Sequence, residues 1–183
     1  MFKESAEISF WPCHKERQAK LIGTGIDSSV YRLGDVVVKN YKNITQSGFP
    51  HDMTVDILNH YYTVTNRAYK LAEERKVLLH LPVSKKNIPV EVNPFLNLHV
   101  CGMCSEIEGI SRYIPGKGLN LSEDEQVFNR VELKVALIDL SVKLENKLGY
   151  SGVNIIPMNV KLSEKGSLIV TDLCADILML RKN

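Results

Sequence analysis

The sequence lacks the run of roughly 18 apolar residues that would mark a membrane-spanning helix, and no block of about five like charges occurs in it. It also has no internal repeat and no low-complexity tract. Each absence removes a class of function. No spanning segment is expected, and a net charge of +2 is too small for a dedicated nucleic-acid surface. Cysteine is scarce as well, with four in the chain, which is few for a disulfide scaffold. Cys101 and Cys104 form a C-x-x-C with no second pair to complete a zinc site. That pair falls in a stretch that reads as strand, so these are expected to be ordinary strand cysteines in a reducing compartment. Met1-Phe2-Lys3-Glu4-Ser5 lacks the apolar core of a signal peptide. The general secretory route is therefore not expected, which leaves a cytoplasmic protein or one exported by a dedicated apparatus.

What is present suits a packed core. Of the 183 residues, 44% are hydrophobic and 24% charged, ordinary values for a globular chain of one domain or of two small lobes sharing a cleft. Leu21-Ile22-Gly23 reads as an entering strand, and Val30-Tyr31-Arg32-Leu33 and Val36-Val37-Val38-Lys39 read as a hairpin turning at Gly34-Asp35. A helix is expected from about Thr54 to about His80, with Val55, Leu58, Tyr62, Thr65, Tyr69, Ala72, Lys76 and Leu79 as its mostly apolar stripe. Pro82 is expected to stop it. Ile88 to Val92, Leu96 to Cys104 and Glu108 to Ile114 read as strands, and Pro115-Gly116 reads as a hinge. Ser122-Glu123-Asp124-Glu125 has the form of a capping box. It would open a second helix striped by Leu133, Leu137, Leu140, Leu144 and Leu148, with Gly149 as its C-terminal cap. Two short strands follow an irregular stretch from Tyr150 to Asn159.

Four short segments carry chemistry. Gly23 and Gly25 in Gly23-Thr24-Gly25-Ile26-Asp27-Ser28-Ser29-Val30 would let backbone N–H groups approach phosphates with no side chain between. Lys39 ends a strand of valines, where an ammonium needs a partner. Asn159 precedes one short strand and Asp172 follows another. In this order the segments resemble the protein-kinase superfamily, whose signatures are G-x-G-x-x-G-x-V, V-A-I-K, H-R-D-L-x-x-x-N and D-F-G.

The resemblance implies an α+β, reduced two-lobed kinase-like fold. Residues 1–114 would form a five-stranded antiparallel sheet with one helix, and residues 115–183 a truncated helical lobe. It implies ATP and Mg²⁺ as cofactors, with Gly23, Gly25, Ser28, Val30, Val37 and Lys39 around the nucleotide and Asn159 and Asp172 on the metal. Glu74, or failing that Glu73, would pair with Lys39. The Arg112 C=O and Ile114 N–H would meet the adenine edge.

The sequence departs from the family in the catalytic loop. Asn154 stands where the family has its catalytic aspartate, Gly152 where it has histidine, and Ile156 where many members carry a phosphate-contacting lysine. An amide cannot accept the acceptor's proton, so the resemblance implies an inactivated or impaired Ser/Thr protein kinase. A pseudokinase that binds nucleotide or protein without turnover is the alternative, and a small-molecule phosphotransferase a remote one. Leu173-Cys174 replaces Phe-Gly, and the sequence up to Asn183 leaves no room for an activation loop or peptide platform. That truncation resembles the minimal kinases that bacteria inject by type III secretion. It implies a virulence effector acting in the host cytoplasm on a host protein, such as a chaperone or the ubiquitin-conjugating machinery.

Overall fold

The computed structural model describes residues 19–41, 48, 50–74, 80–83, 86–100, 106–116, 118–119, 130–174 and 176–183, with residues 80–83, 86 and 130 described as backbone alone. Five strands form the first sheet: β1 (Lys20–Thr24), β2 (Ser29–Leu33), β3 (Val36–Asn40), β6 (Phe95–Val100) and β7 (Ile107–Arg112). Their order is β1-β2-β3-β7-β6, and every neighbouring pair is antiparallel. The expected α+β class with a five-stranded antiparallel sheet is what the chain adopts. Since side chains alternate faces along a strand, Val37, Lys39 and Tyr41 share one face of β3 and its continuation, and all three line a cleft. Gly109 lies across from Lys39. A Cβ there would come within 2.6 Å of the Phe95 ring and 3.1 Å of the Tyr41 ring, so its missing side chain makes room for both.

The helix α1 spans His51–Glu73, with Pro50 at its N-cap. The sequence placed its end near His80. Instead Glu74 caps it, its N–H donating to the Lys70 carbonyl at 2.9 Å. His80–Val83 is a strand, β4, in which Pro82 pairs with Asn87 of β5 (Lys86–Val92). The buried stripe of α1 is Thr54, Leu58, Tyr61, Thr65 and Ala68, with Val64 beside it. Val55, Tyr62, Tyr69 and Ala72, four of the expected stripe, sit at its partly buried margin. Aromatic and β-branched residues on adjacent positions leave the phase of such a helix ambiguous. Tyr61 wins the inward position because its ring packs edge-on to Phe95, centroids 5.4 Å apart, while its hydroxyl finds a carboxylate.

A second sheet has the order β4-β5-β10-β9, where β9 is Val160–Leu162 and β10 is Leu168–Val170. The strand β10 runs parallel to β5, with Leu168, Ile169 and Val170 opposite Val90, Glu91 and Val92. Strand pairing thus crosses the position where the 1–114 and 115–183 division was drawn. Asn93 ties the two sheets together. Its N–H donates to the Val170 carbonyl at 2.8 Å, and its side-chain amide donates to the Arg112 carbonyl at 3.0 Å.

The capping box at 122–125 lies outside the described residues. The second helix, α2, is described over Arg130–Leu148. Leu133, Leu137, Leu140, Leu144 and Leu148 are all buried as expected, and they belong to the same core as Tyr61, Val90, Phe95, Leu168 and Val170. The opposite face exposes Val131, Val135, Ile138 and Val142. Gly149 follows with φ +73°, its N–H donating to the Glu145 carbonyl at 2.9 Å. After it, β8 (Tyr150–Ser151) pairs with β11 (Arg181–Lys182). Among the described residues no helix is long and apolar enough to cross a membrane.

The two faces of α2 predict opposite responses to truncation. Leu144→Ala, at a fully buried position, is expected to cost about 2–5 kcal/mol in urea unfolding. Val135→Ser, on the exposed face, is expected to change stability by less than about 0.5 kcal/mol.

Candidate functional site

The cleft has a volume of about 1030 Å³ and lies between the first sheet and the segments that flank β9 and β10. Its roof is the β1–β2 hairpin, closed by a hydrogen bond from the Gly25 N–H to the Ser28 carbonyl at 2.8 Å. The two residues at the tip diverge. Ile26 is 82% exposed, whereas the Asp27 carboxylate turns inward and accepts a long 3.5 Å contact from the Ile177 N–H on the far wall. Gly23 and Gly25 have ordinary φ angles, and a Cβ on either would meet nothing closer than 3.7 Å. Packing within the fold therefore does not require glycine at these two positions.

The floor is set by the β9–β10 hairpin. Val160 pairs with Val170, so Asn159 and Thr171 meet at the end of the ladder, and the Asn159 carbonyl accepts from both the Thr171 N–H at 2.8 Å and its hydroxyl at 3.0 Å. This register delivers Asn159 and Asp172 to the cleft side by side. The Lys39 ammonium reaches down from β3 to Asp172 Oδ2 at 2.6 Å, with the two side chains 12% and 25% exposed. Asp172 Oδ1 accepts from the Tyr61 hydroxyl. Three parts of the chain that are distant in sequence therefore meet on one carboxylate.

Ten expected site residues line this cleft: Gly23, Gly25, Ser28, Val30, Val37, Lys39, Arg112, Ile114, Asn159 and Asp172. Glu74 is not the partner of Lys39. It caps the exposed end of α1, about 20 Å along the helix from Tyr61 at ~1.5 Å per residue. Lys39 pairs with Asp172 instead, and α1 reaches that carboxylate through the Tyr61 hydroxyl. Glu73 accepts from the Tyr69 hydroxyl at 2.8 Å on the exposed surface. The Arg112 carbonyl is engaged by Asn93, and the Ile114 carbonyl accepts from the Lys161 ammonium at 2.6 Å.

Asn154 is exposed, and its N–H donates to the Leu173 carbonyl at 2.9 Å; it is not among the residues that line the cleft. The loop around it is held firmly by α2. Glu145 Oε1 accepts from the Gly152 and Val153 N–H groups at 2.6 and 3.1 Å, and the Ser141 hydroxyl accepts from the Ile155 N–H at 3.0 Å. Gly152 has φ +91°, and a Cβ there would fall 2.4 Å from the Met179 carbonyl oxygen. At position 152 this chain accommodates only glycine.

Asp27, Tyr41, Tyr61 and Lys161 line the cleft without having been singled out from the sequence. Lys161 carried a usable signal, being a lysine inside the apolar strand Val160-Lys161-Leu162, the same oddity that marks Lys39. Burial lowers its pKa. Burial raises that of Asp27, helped by Asp176 and Asp172 and opposed by the Ile177 N–H and Lys39. Burial also holds the Tyr61 and Tyr41 hydroxyls well above the usual range, with the Asp172 charge adding to it. The Tyr41 hydroxyl has no hydrogen-bond partner.

Among the described residues no cluster of three or more acidic, histidine or cysteine side chains could by itself cage a metal ion. Asp172 and Asn159 offer a carboxylate and an amide oxygen on one side of the cleft. That set fits Mg²⁺, which is usually held through one or two carboxylates with phosphate oxygens and water completing the octahedron.

No family model matches the chain, and no curated protein matches its sequence significantly.

Cys174 lies directly beyond this centre, with its thiol pushed up to about 12 by burial and by the Asp172 charge. The unfolded thiol ionises near 8.5. Its contribution to stability is therefore intact below about that pH and declines progressively as pH rises towards 12. Iodoacetamide at pH 8 is expected to leave Cys174 unlabelled in the native protein and to label it after unfolding in urea, read by peptide mass spectrometry.

Proposed function

We propose that this cleft binds ATP with Mg²⁺ and that the chain is a minimal protein kinase, transferring the γ-phosphate to a serine or threonine of a protein. The observation that carries the reading is the Lys39–Asp172 ion pair, beneath a glycine hairpin and beside Asn159. A strand lysine, a metal-binding aspartate and asparagine, and a phosphate-covering loop are the parts phosphoryl transfer needs in one place. Gly23 and Gly25 strengthen it, because a loop that does not need glycine for its own geometry keeps it most economically for a ligand that must touch the backbone.

In this reading Lys39 leaves Asp172 when nucleotide enters and engages the α- and β-phosphates. Asp172 and Asn159 then hold the metal that neutralises charge developing on the γ-phosphate. Tyr61 keeps one carboxylate oxygen fixed while the other exchanges partners. Val30 and Val37 offer apolar surface to the base, and the Ile114 N–H remains the candidate hinge donor. A pseudokinase is the second reading, favoured by the exposed amide of Asn154. Action as an injected bacterial effector on a host chaperone or on ubiquitin-conjugating machinery, and the more remote transfer to a small molecule, rest on resemblance alone.

ATP with Mg²⁺ is expected to raise the melting temperature. Binding only the folded state adds about 2.7 kcal/mol at 100 times the dissociation constant. Lys39→Met and Asp172→Asn are each expected to remove most of that gain in a thermal-shift titration. A melting curve that ignores millimolar ATP and Mg²⁺ would overturn the nucleotide reading.

A further inference from the structure

One acidic side chain in the cleft has no part in holding nucleotide or metal. Asp27 sits at the tip of the hairpin that would cover the phosphates, turned inward while its neighbour Ile26 faces solvent. A carboxylate is an unfavourable choice at that point if binding were the hairpin's sole task, since it faces the triphosphate with like charge. The like charges of Asp172 and Asp176 already lie near it, and Lys39 is the nearby cation. The fold does not require it structurally, because its one hydrogen bond is the long contact from the Ile177 N–H.

Its position becomes intelligible from what the catalytic loop lacks. Asn154 cannot accept a proton and does not line the cleft. Among the described residues, Asp27 and Asp172 are the carboxylates that line it, and Asp172 has one oxygen on Lys39 and the other on Tyr61. That leaves Asp27. A second group points to an incoming oxygen. The Tyr41 hydroxyl is buried, its residue 2% exposed, lacks a partner, lines the same cleft, and lies close enough to Asp27 and Asp172 to feel both charges.

We infer that Asp27 is the proton acceptor of the transfer reaction, a catalytic carboxylate supplied from the glycine hairpin in place of the catalytic loop. The inference rests on the nucleotide reading above. In the step, the acceptor oxygen forms a bond to the γ-phosphorus. The bond from that phosphorus to the β–γ bridging oxygen breaks, and the nucleoside diphosphate leaves with its electron pair. The acceptor's proton passes to the Asp27 carboxylate and from there to solvent through the cleft mouth. Cleft closure and chemistry are then one event, because the base arrives only when the hairpin covers the phosphates.

The test uses the full chain with ATP and Mg²⁺. It measures ATP affinity by calorimetry, and turnover as ADP release with water as acceptor and as ³²P incorporation into the chain itself. Asp27→Asn preserves size and is expected to lower kcat by about 10²–10⁴-fold, the usual contribution of a positioned base, while ATP binds no more weakly than to the parent, since a like charge is removed. Asp27→Glu is expected to keep part of the activity. The rise of kcat with pH in the parent should disappear in Asp27→Asn. That limb is attributable to Asp27 in a setting that also holds Lys39 from β3, Tyr41 beyond it, Tyr61 from α1, and Asp172, Cys174 and Asp176 after β10. Three outcomes overturn the inference while leaving nucleotide binding intact: Asp27→Asn turning over like the parent, Asp27→Asn weakening ATP affinity in proportion to rate, or a parent that binds ATP without turnover. Absence of ATP binding by the parent overturns the nucleotide reading itself, and the inference with it.

Discussion

Everything at this site hangs on one half-buried carboxylate. Asp172 receives the Lys39 ammonium from β3 and the Tyr61 hydroxyl from α1. Its own position is fixed by a two-strand hairpin whose register sets Asn159 against Thr171. The pair is exposed enough to exchange partners and buried enough for its Coulomb energy to exceed that of a surface pair, which is worth about 0–1 kcal/mol. Burying such a pair brings a desolvation cost, so it stabilises a fold less than apolar residues of the same shape would. Under the proposed function the pair acts as pre-positioning, with each charge held where a ligand of opposite sign would arrive.

The sequence made some of this legible and not the rest. Lys39 and Asp172 could be found because each breaks a local rule, a charge at the end of an apolar strand. The leucine stripe of α2 could be read because identical spacing over five positions leaves one solution for its phase. In α1, Tyr61 and Tyr62 are adjacent, both bulky and both amphipathic, and local periodicity does not choose between them. Only the packing of Phe95 and the demand of Asp172 do so. The expectation at Glu74 had a different origin, the resemblance and not the periodicity, and the helix ends beside it. Asn93 was invisible for a different reason. Its role is to bond two carbonyls from separate sheets, and nothing in its neighbours encodes such a contact.

The loop that carries Asn154 takes its shape from α2 and from the segment around Met179. Glu145 and Ser141 hold it from α2 through three backbone N–H groups, and Gly152 is wedged against the Met179 carbonyl. The result is a rigid shelf that shapes the cleft floor through Ile156, Pro157 and Met158. It presents its own polar side chain elsewhere. The backbone of this loop thus shapes the cleft although the side chain of Asn154 takes no part in lining it.

The parallel ladder between β5 and β10 has a consequence for how the molecule comes into being. Residues 90–92 wait for residues 168–170, a pairing between opposite parts of the chain that cannot form by local zippering and must close a long loop first. The hairpin bearing Asn159 and Asp172 docks through that ladder. During vectorial synthesis the first sheet and α1 can therefore collapse early, with Lys39 still lacking its counter-charge. The cleft is thus completed late in folding, and a chain stalled short of β10 would be compact yet lack the Lys39–Asp172 pair.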